Sequence, residues 1–244
     1  MNAVIARLTL RTLLGRRRAL LLMALPVVLL LLSLLVRLTV DPASRIDVAV
    51  GVLGAFALGT LVPLLGLIAG TGAIGPEIDD GSIVYLLAKP VSRHTIVLSK
   101  LLVAVSVVAA FAALPVLLAG LLMVGTSHGL AVGFGIGALA AGTAYCAVFV
   151  LLAVLTRNAV VVGLIYALVW ESLVGNLVPG AQALSVQQWA LTLTRAVVGH
   201  DAKTLGVTSA VSTWIGVALL VVVTVVATWV AGNRLRSLRL TNDD

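Results

Sequence analysis

The side chains able to do chemistry gather in one short stretch: Glu77, Asp79 and Asp80, followed by Lys89, Arg93, His94 and Lys100. Neighbouring carboxylates suggest a divalent cation or phosphoryl transfer, yet Asp79-Asp80-Gly81 lacks the further aspartates that a metal-dependent phosphotransferase needs. The histidines do not supply a metal site either. His94 borders one apolar run, His128 lies between two others, and His200 adds no ligand spacing, so they read as surface or packing residues. Glu171 is the other suggestive group, a carboxylate inside an apolar run. Such a charge costs about 2.5–3.5 kcal/mol at the centre of a membrane helix, which places it nearer an interface, capping a cavity or pairing with Arg195. Functional and structural roles both fit it. A proton relay fits poorly, because no second carboxylate lies within the apolar runs to receive the proton.

The elements that must position these groups follow from the pattern around them. Glu77, Asp79 and Asp80 suit a helix start, where free backbone amides carry partial positive charge, and Asp80 or Ser82 could cap it. The apolar segment Ile83 to Ala88 is far shorter than the roughly 20 residues of a membrane span, so it should dock rather than cross. Lys89 suits the end of that short helix, Pro90 stops it, and Ser92 can cap the next helix, which rises through Thr95. A helix lying between two spans is the expected result.

Composition sets the surroundings. The chain of 244 residues is 61% hydrophobic and only 10% charged, outside the range of soluble domains. Six apolar runs have spanning length: Ala19 to Leu38, Val48 to Ala73, Thr95 to Val124, Leu130 to Leu155, Ala159 to Leu177 and Val211 to Gly232. With both ends inside, Arg7, Arg11, Arg16, Arg17, Arg18, Lys89, Arg93, Lys100, Arg157, Arg234, Arg236 and Arg239 are cytoplasmic. Arg37, Arg45, Arg195 and Lys203 are then outside, in accord with the positive-inside rule. Contact with anionic lipid accounts for the net charge of +7, and nucleic acid is not needed. Residues 1–18 set leucines among arginines, as a helix on the inner membrane surface would or as a frayed basic tail would. Cys146 is the single cysteine and sits inside the fourth run, where it should pack.

Glu77, Gly81, the run Lys89-Pro90-Val91-Ser92-Arg93 and Lys100 resemble the cytoplasmic loop of ABC-2-type permeases, the membrane subunits of ATP-binding-cassette transporters. A second stretch, Trp170-Glu171-Ser172-Leu173-Val174-Gly175-Asn176-Leu177-Val178-Pro179-Gly180 followed by Leu184-Ser185 and Trp189, resembles the outward end of their fifth span and its loop. With the span count, the likeness covers nearly the whole chain. It implies an all-α integral membrane domain over residues 1–244 with six transmembrane helices and cytoplasmic termini. It also implies an interfacial helix at 1–18, a coupling loop at 77–93 and short outer-leaflet helices within 178–209.

The chain has no Gly-x-x-x-x-Gly-Lys-Ser/Thr loop, so ATP and Mg would be held by a separate ATPase and no cofactor by this chain. The resemblance implies two ATPase subunits and a second permease subunit, as a homodimer in a bacterial plasma membrane, with export as the direction. Glu77, Gly81, Tyr85, Leu86, Lys89, Pro90 and Arg93 would then couple to the ATPase. Glu171, Asn176, Trp189 and Arg195 would belong to the pathway or an outer gate, and the second and fifth spans would line the pathway. A surface-lying connector is the alternative reading of 178–209. Two rival classes are a secondary transporter, which should show paired intramembrane ions or interrupted helices, and an intramembrane enzyme, which needs a clustered catalytic set. Neither pattern is present.

Glycines at Gly66 and Gly70, and at Gly133, Gly135 and Gly137, should let helices approach closely. Pro26, Pro63 and Pro115 should kink the spans that hold them. Trp170, Trp189, Trp214 and Trp229 read as interfacial anchors.

Overall fold

The computed structural model describes residues 8–10, 13, 15–81, 92–174 and 182–237, and among these the chain is helical with no strand. The helices are α1 (Arg16–Thr39), α2 (Arg45–Gly51), α3 (Val62–Asp79), α4 (Arg93–Val108), α5 (Leu114–Val124), α6 (Leu130–Leu155), α7 (Ala159–Ile165), α8 (Val186–Val198) and α9 (Thr213–Ser237). Wide π turns join α2 to α3 (Val52–Leu61) and α4 to α5 (Ala109–Ala113), and a third such stretch, Tyr166–Val174, continues α7.

Among the described residues, five helices are long and apolar enough to cross a membrane: Ala19–Thr39, Arg45–Ile78, Arg93–Val124, Ser127–Leu155 and Thr213–Leu235. Of the remaining expected span, Ala159 to Leu177, the described part holds a shorter apolar helix, Ala159–Glu171, and the end of the run lies outside the described residues. At 34 residues, Arg45–Ile78 is about 50 Å long against a hydrocarbon core of about 30 Å, so its ends project beyond that core.

Two of the wide turns have a local cause. Proline has no N–H and its ring crowds the carbonyl four residues back, so it removes one helical hydrogen bond and favours a local widening. Immediately before Pro63 the amide of Val62 bonds to the carbonyl of Ala57, and immediately before Pro115 the amide of Leu114 bonds to Ala109, each five residues back. The disturbance expected at these prolines is thus absorbed as a widened turn. Pro26 lies inside α1 without one.

α6 is the central element and packs against α3, α9, α8, α5, α4 and α7. The glycine pattern explains how. A β-carbon on Gly66 would lie 2.7 Å from Cβ of Tyr145, and one on Gly70 would lie 2.8 Å from Cβ of Phe149, so α3 and α6 touch almost backbone to backbone. From the other partner, Gly133 and Gly137 of α6 leave room for Thr194 and Ala190 of α8, while Gly135 faces Leu117 of α5. Cys146 is fully buried, as its place in the fourth run implied. The faces of α1 and α9 that carry Leu20, Leu31, Val221 and Val225 are exposed and apolar, as lipid-facing surfaces are.

Within 182–209, α8 packs into the bundle. In α8 the side chains of Val186, Gln187, Trp189, Ala190, Leu191, Thr192, Thr194 and Val198 are buried. The helix wedges against α6 and α9, and Gly216 of α9 leaves space for Thr192. Of the N-terminal region, Leu13 is buried and Leu8 and Leu10 are exposed; most of 1–18 lies outside the described residues or is described in backbone only.

Candidate functional site

At one end of the bundle, the one that carries Arg93, Arg157 and Arg234, the base of the predicted coupling loop is assembled. The structure corrects one expectation here: Glu77 and Asp79 lie in the last turn of α3 rather than at a helix start, and Asp80 follows as its C-cap. The partial negative charge of a helix C-terminus disfavours a carboxylate, so Glu77 needs a cation, and Lys100 supplies it. The Nζ of Lys100 lies 2.7 Å from Oε1 of Glu77 and donates to the carbonyl of Ala73 at 2.7 Å. Lys100 is fully buried, about two turns into α4.

Gly81 ends α3 in the left-handed conformation, φ 68°, where only glycine is unstrained. Across the loop, Ser92 caps α4 as expected, its Oγ accepting from the amide of Thr95 at 3.2 Å. Arg93 donates to the carbonyl of Leu235 at 2.5 Å and His94 packs against Gly232, so the start of α4 is tied to the end of α9. Tyr85, Leu86, Lys89 and Pro90 lie outside the described residues. The end of α3 is joined to α4 by residues 23 positions apart in the chain, Glu77 and Lys100.

Beside this base a cavity of about 420 Å³ opens between α1, α3 and α7. Leu21, Ala24, Leu67, Thr71 and Leu164 line it, and Arg157 stands in its lining from the turn before α7. Its volume and its mostly apolar wall with a few polar groups fit a site for a small amphiphilic molecule.

At the opposite end, Glu171 is fully buried and organises α8. Its Oε1 accepts from the amide of Val186 at 3.0 Å and the hydroxyl of Tyr166 at 3.1 Å. Its Oε2 accepts from the hydroxyl of Ser185 at 2.5 Å and the amide of Gln187 at 3.4 Å. A carboxylate from one element thus caps the N-terminus of another, where the exposed amides favour negative charge. The expected pairing with Arg195 does not form: Arg195 sits in the last turn of α8, at the far end from the capped one. In this geometry the carboxylate anchors the start of α8.

Trp189, expected near the gate, is buried and donates from its ring nitrogen to the carbonyl of Ala183 at 2.8 Å. Asn176 lies outside the described residues. Two residues that the sequence did not single out complete the cluster. Gln187 donates to the carbonyl of Gly54 at 2.9 Å, tying α8 to the wide turns of the second span, and Tyr166 reaches Glu171 because a widened turn sets residues five apart on one face. Phe149 joins Tyr145 and Tyr166, with ring centroids 6.1 Å apart in each contact, so an aromatic column connects α6 to the capped carboxylate. Among the described residues no group of His, Cys, Asp and Glu could hold a metal ion.

With the fold and these two clusters in place, comparison with known families is decisive. The model of the ABC-2 family transporter proteins matches residues 3–236. The chain belongs to the ABC-2 transporter family. It is accordingly a multi-pass membrane component of an ABC transporter, and such permeases work with an ABC ATPase. A search of curated proteins finds no match. In this ABC-2 protein, the pair Glu77 and Lys100 joins two residues that carried the resemblance, and Glu171 with Ser185 joins two from the second stretch.

Proposed function

We propose that this chain is the membrane half of an ATP-driven exporter in a bacterial plasma membrane, acting as a homodimer with two copies of a separate ATPase. The loop from Glu77 to Arg93 docks on the ATPase, with Tyr85 and Leu86 at its centre. Closure of the ATPases on ATP shifts that loop, and the shift passes to α3 and α4, which are joined by the ion pair of Glu77 and Lys100. That pair is the observation that supports the reading most, because a loop anchored at both ends transmits displacement where a free one would dissipate it.

The cavity between α1, α3 and α7 supports a route that begins at the loop end of the bundle, and α8 with its cap supports a closure at the other end. ATP and Mg belong to the partner. The test is purification of the tagged chain in mild detergent, followed by measurement of bound ATPase and of ATP-driven transport. Leu86→Arg should lower ATPase binding at least about tenfold, the cost of one interface anchor, with insertion unchanged. Glu77→Arg, placed beside Lys100, should uncouple hydrolysis from transport. Wild-type assembly and transport in both variants would end the coupling reading.

A further inference from the structure

We propose that the end of the bundle remote from the coupling loop carries an oxyanion site for a phosphate group, built by Arg37 and Arg45. These are two of the few basic residues that the charge pattern leaves on the outer side, so neither is accounted for by the positive-inside rule. They come from different elements, the last turn of α1 and the first of α2, and line one pocket of about 210 Å³ with Ile46, Met123, Gly125 and Ser127.

Each guanidinium is held in place by a single backbone carbonyl. Arg37 donates from Nη1 to the carbonyl of Leu122 at 3.0 Å, and Arg45 donates from Nη2 to the carbonyl of Val40 at 3.1 Å. An arginine has five N–H donors in a rigid fork, so these anchors fix the groups while leaving most donors unused. Asp41 and Asp47 are close in sequence, yet neither forms an ion pair with Arg37 or Arg45 among the described residues. The Nε of Arg45 is buried with no acceptor among the described residues, a costly state for a charged donor.

Two pre-positioned planar guanidiniums around a small pocket can each offer paired N–H donors to the several acceptor oxygens of a tetrahedral phosphate. The pocket is below the usual range of drug-sized sites, which suits a headgroup or a free anion rather than a bulky molecule. Its wall is also partly apolar through Ile46 and Met123, as a site at a membrane interface would be.

The test uses the full chain in detergent with three probes: phosphatidylglycerol, diacylglycerol without phosphate, and inorganic phosphate against chloride at equal ionic strength. Binding is read as retained lipid by native mass spectrometry and as the concentration dependence of thermal unfolding. Phosphatidylglycerol or phosphate should bind, and Arg37→Gln combined with Arg45→Gln should weaken that binding at least about tenfold, the worth of one charge-assisted hydrogen bond. Lys203→Gln, at an outer lysine that does not line this pocket, should leave it unchanged. Response to phosphatidylglycerol alone assigns the site to a lipid headgroup, and response to inorganic phosphate assigns it to a free anion. If the double variant does not fold, Arg45→Lys keeps the charge but loses the fork and should show the same weakening in smaller measure. Equal binding of diacylglycerol and phosphatidylglycerol without a response to phosphate, or equal binding by wild type and the arginine variants, overturns the proposal. The outcome is independent of whether an ATPase co-purifies.

Discussion

Glu77 lies just past an apolar run and Glu171 lies within one, and the two carboxylates are stabilised in opposite ways. Glu77 sits at the unfavourable end of a helix and is matched by a fully buried lysine. Glu171 is matched by amides and hydroxyls at the favourable end of a helix that is not its own. Removing the second carboxylate should therefore leave several buried donors without an acceptor. Glu171→Ala is expected to cost on the order of 3 kcal/mol, read as thermal unfolding in detergent. Glu171→Gln should recover only part of it, since its NH₂ would face other donors. A wild-type melting curve for Glu171→Ala would show that the cap does not hold α8.

At the scale of elements, the close approach of helices rests on where a β-carbon cannot fit. On Gly137 one would lie 2.7 Å from Thr194 Oγ1 and 3.1 Å from the carbonyl of Ala190, so α8 would have to move. On Gly75, in the same kind of helical setting, it would meet nothing within 4 Å. Glycine in a helix costs about 1 kcal/mol relative to alanine, so the two substitutions should have opposite signs. Gly75→Ala should raise the unfolding temperature in detergent and Gly137→Ala should lower it. Equal responses would mean that α6 and α8 are not packed as described. The glycine spacing was legible in the sequence, but which helix each glycine faces was not, because Gly133 and Gly135 are neighbours that serve different partners.

For the whole molecule, the two clusters lie at opposite ends of the bundle, and the proposed orientation sets which faces the cytoplasm. Cys146 is buried and is the chain's single cysteine, so Cys146→Ser provides a background for introduced labels. In that background Ser44→Cys should react with an impermeant maleimide in intact cells, and Asn158→Cys only after permeabilisation. Both positions are exposed at loops that join successive helices. The reverse pattern would invert the topology and place the Glu77 loop outside, away from any ATPase.

The sequence by itself determined that the chain is a helical membrane protein, roughly where its spans lie, and which motifs ally it to a transporter family. Hydrophobic length, proline and capping signals are local, so they can be read along the chain. What only the tertiary structure decided was the partners. Lys100 is 23 residues from Glu77, and Glu171 meets Ser185 and Val186 across a turn of the chain, contacts that no spacing rule foretells. The start of a helix expected at Glu77 proved to be an end, because the helix runs on through Gly75 and Pro76 and its terminus is stabilised by a lysine from the next one. Tyr166 escaped notice for a similar reason: it reaches Glu171 only through a widened turn, and ordinary helical periodicity separates the two.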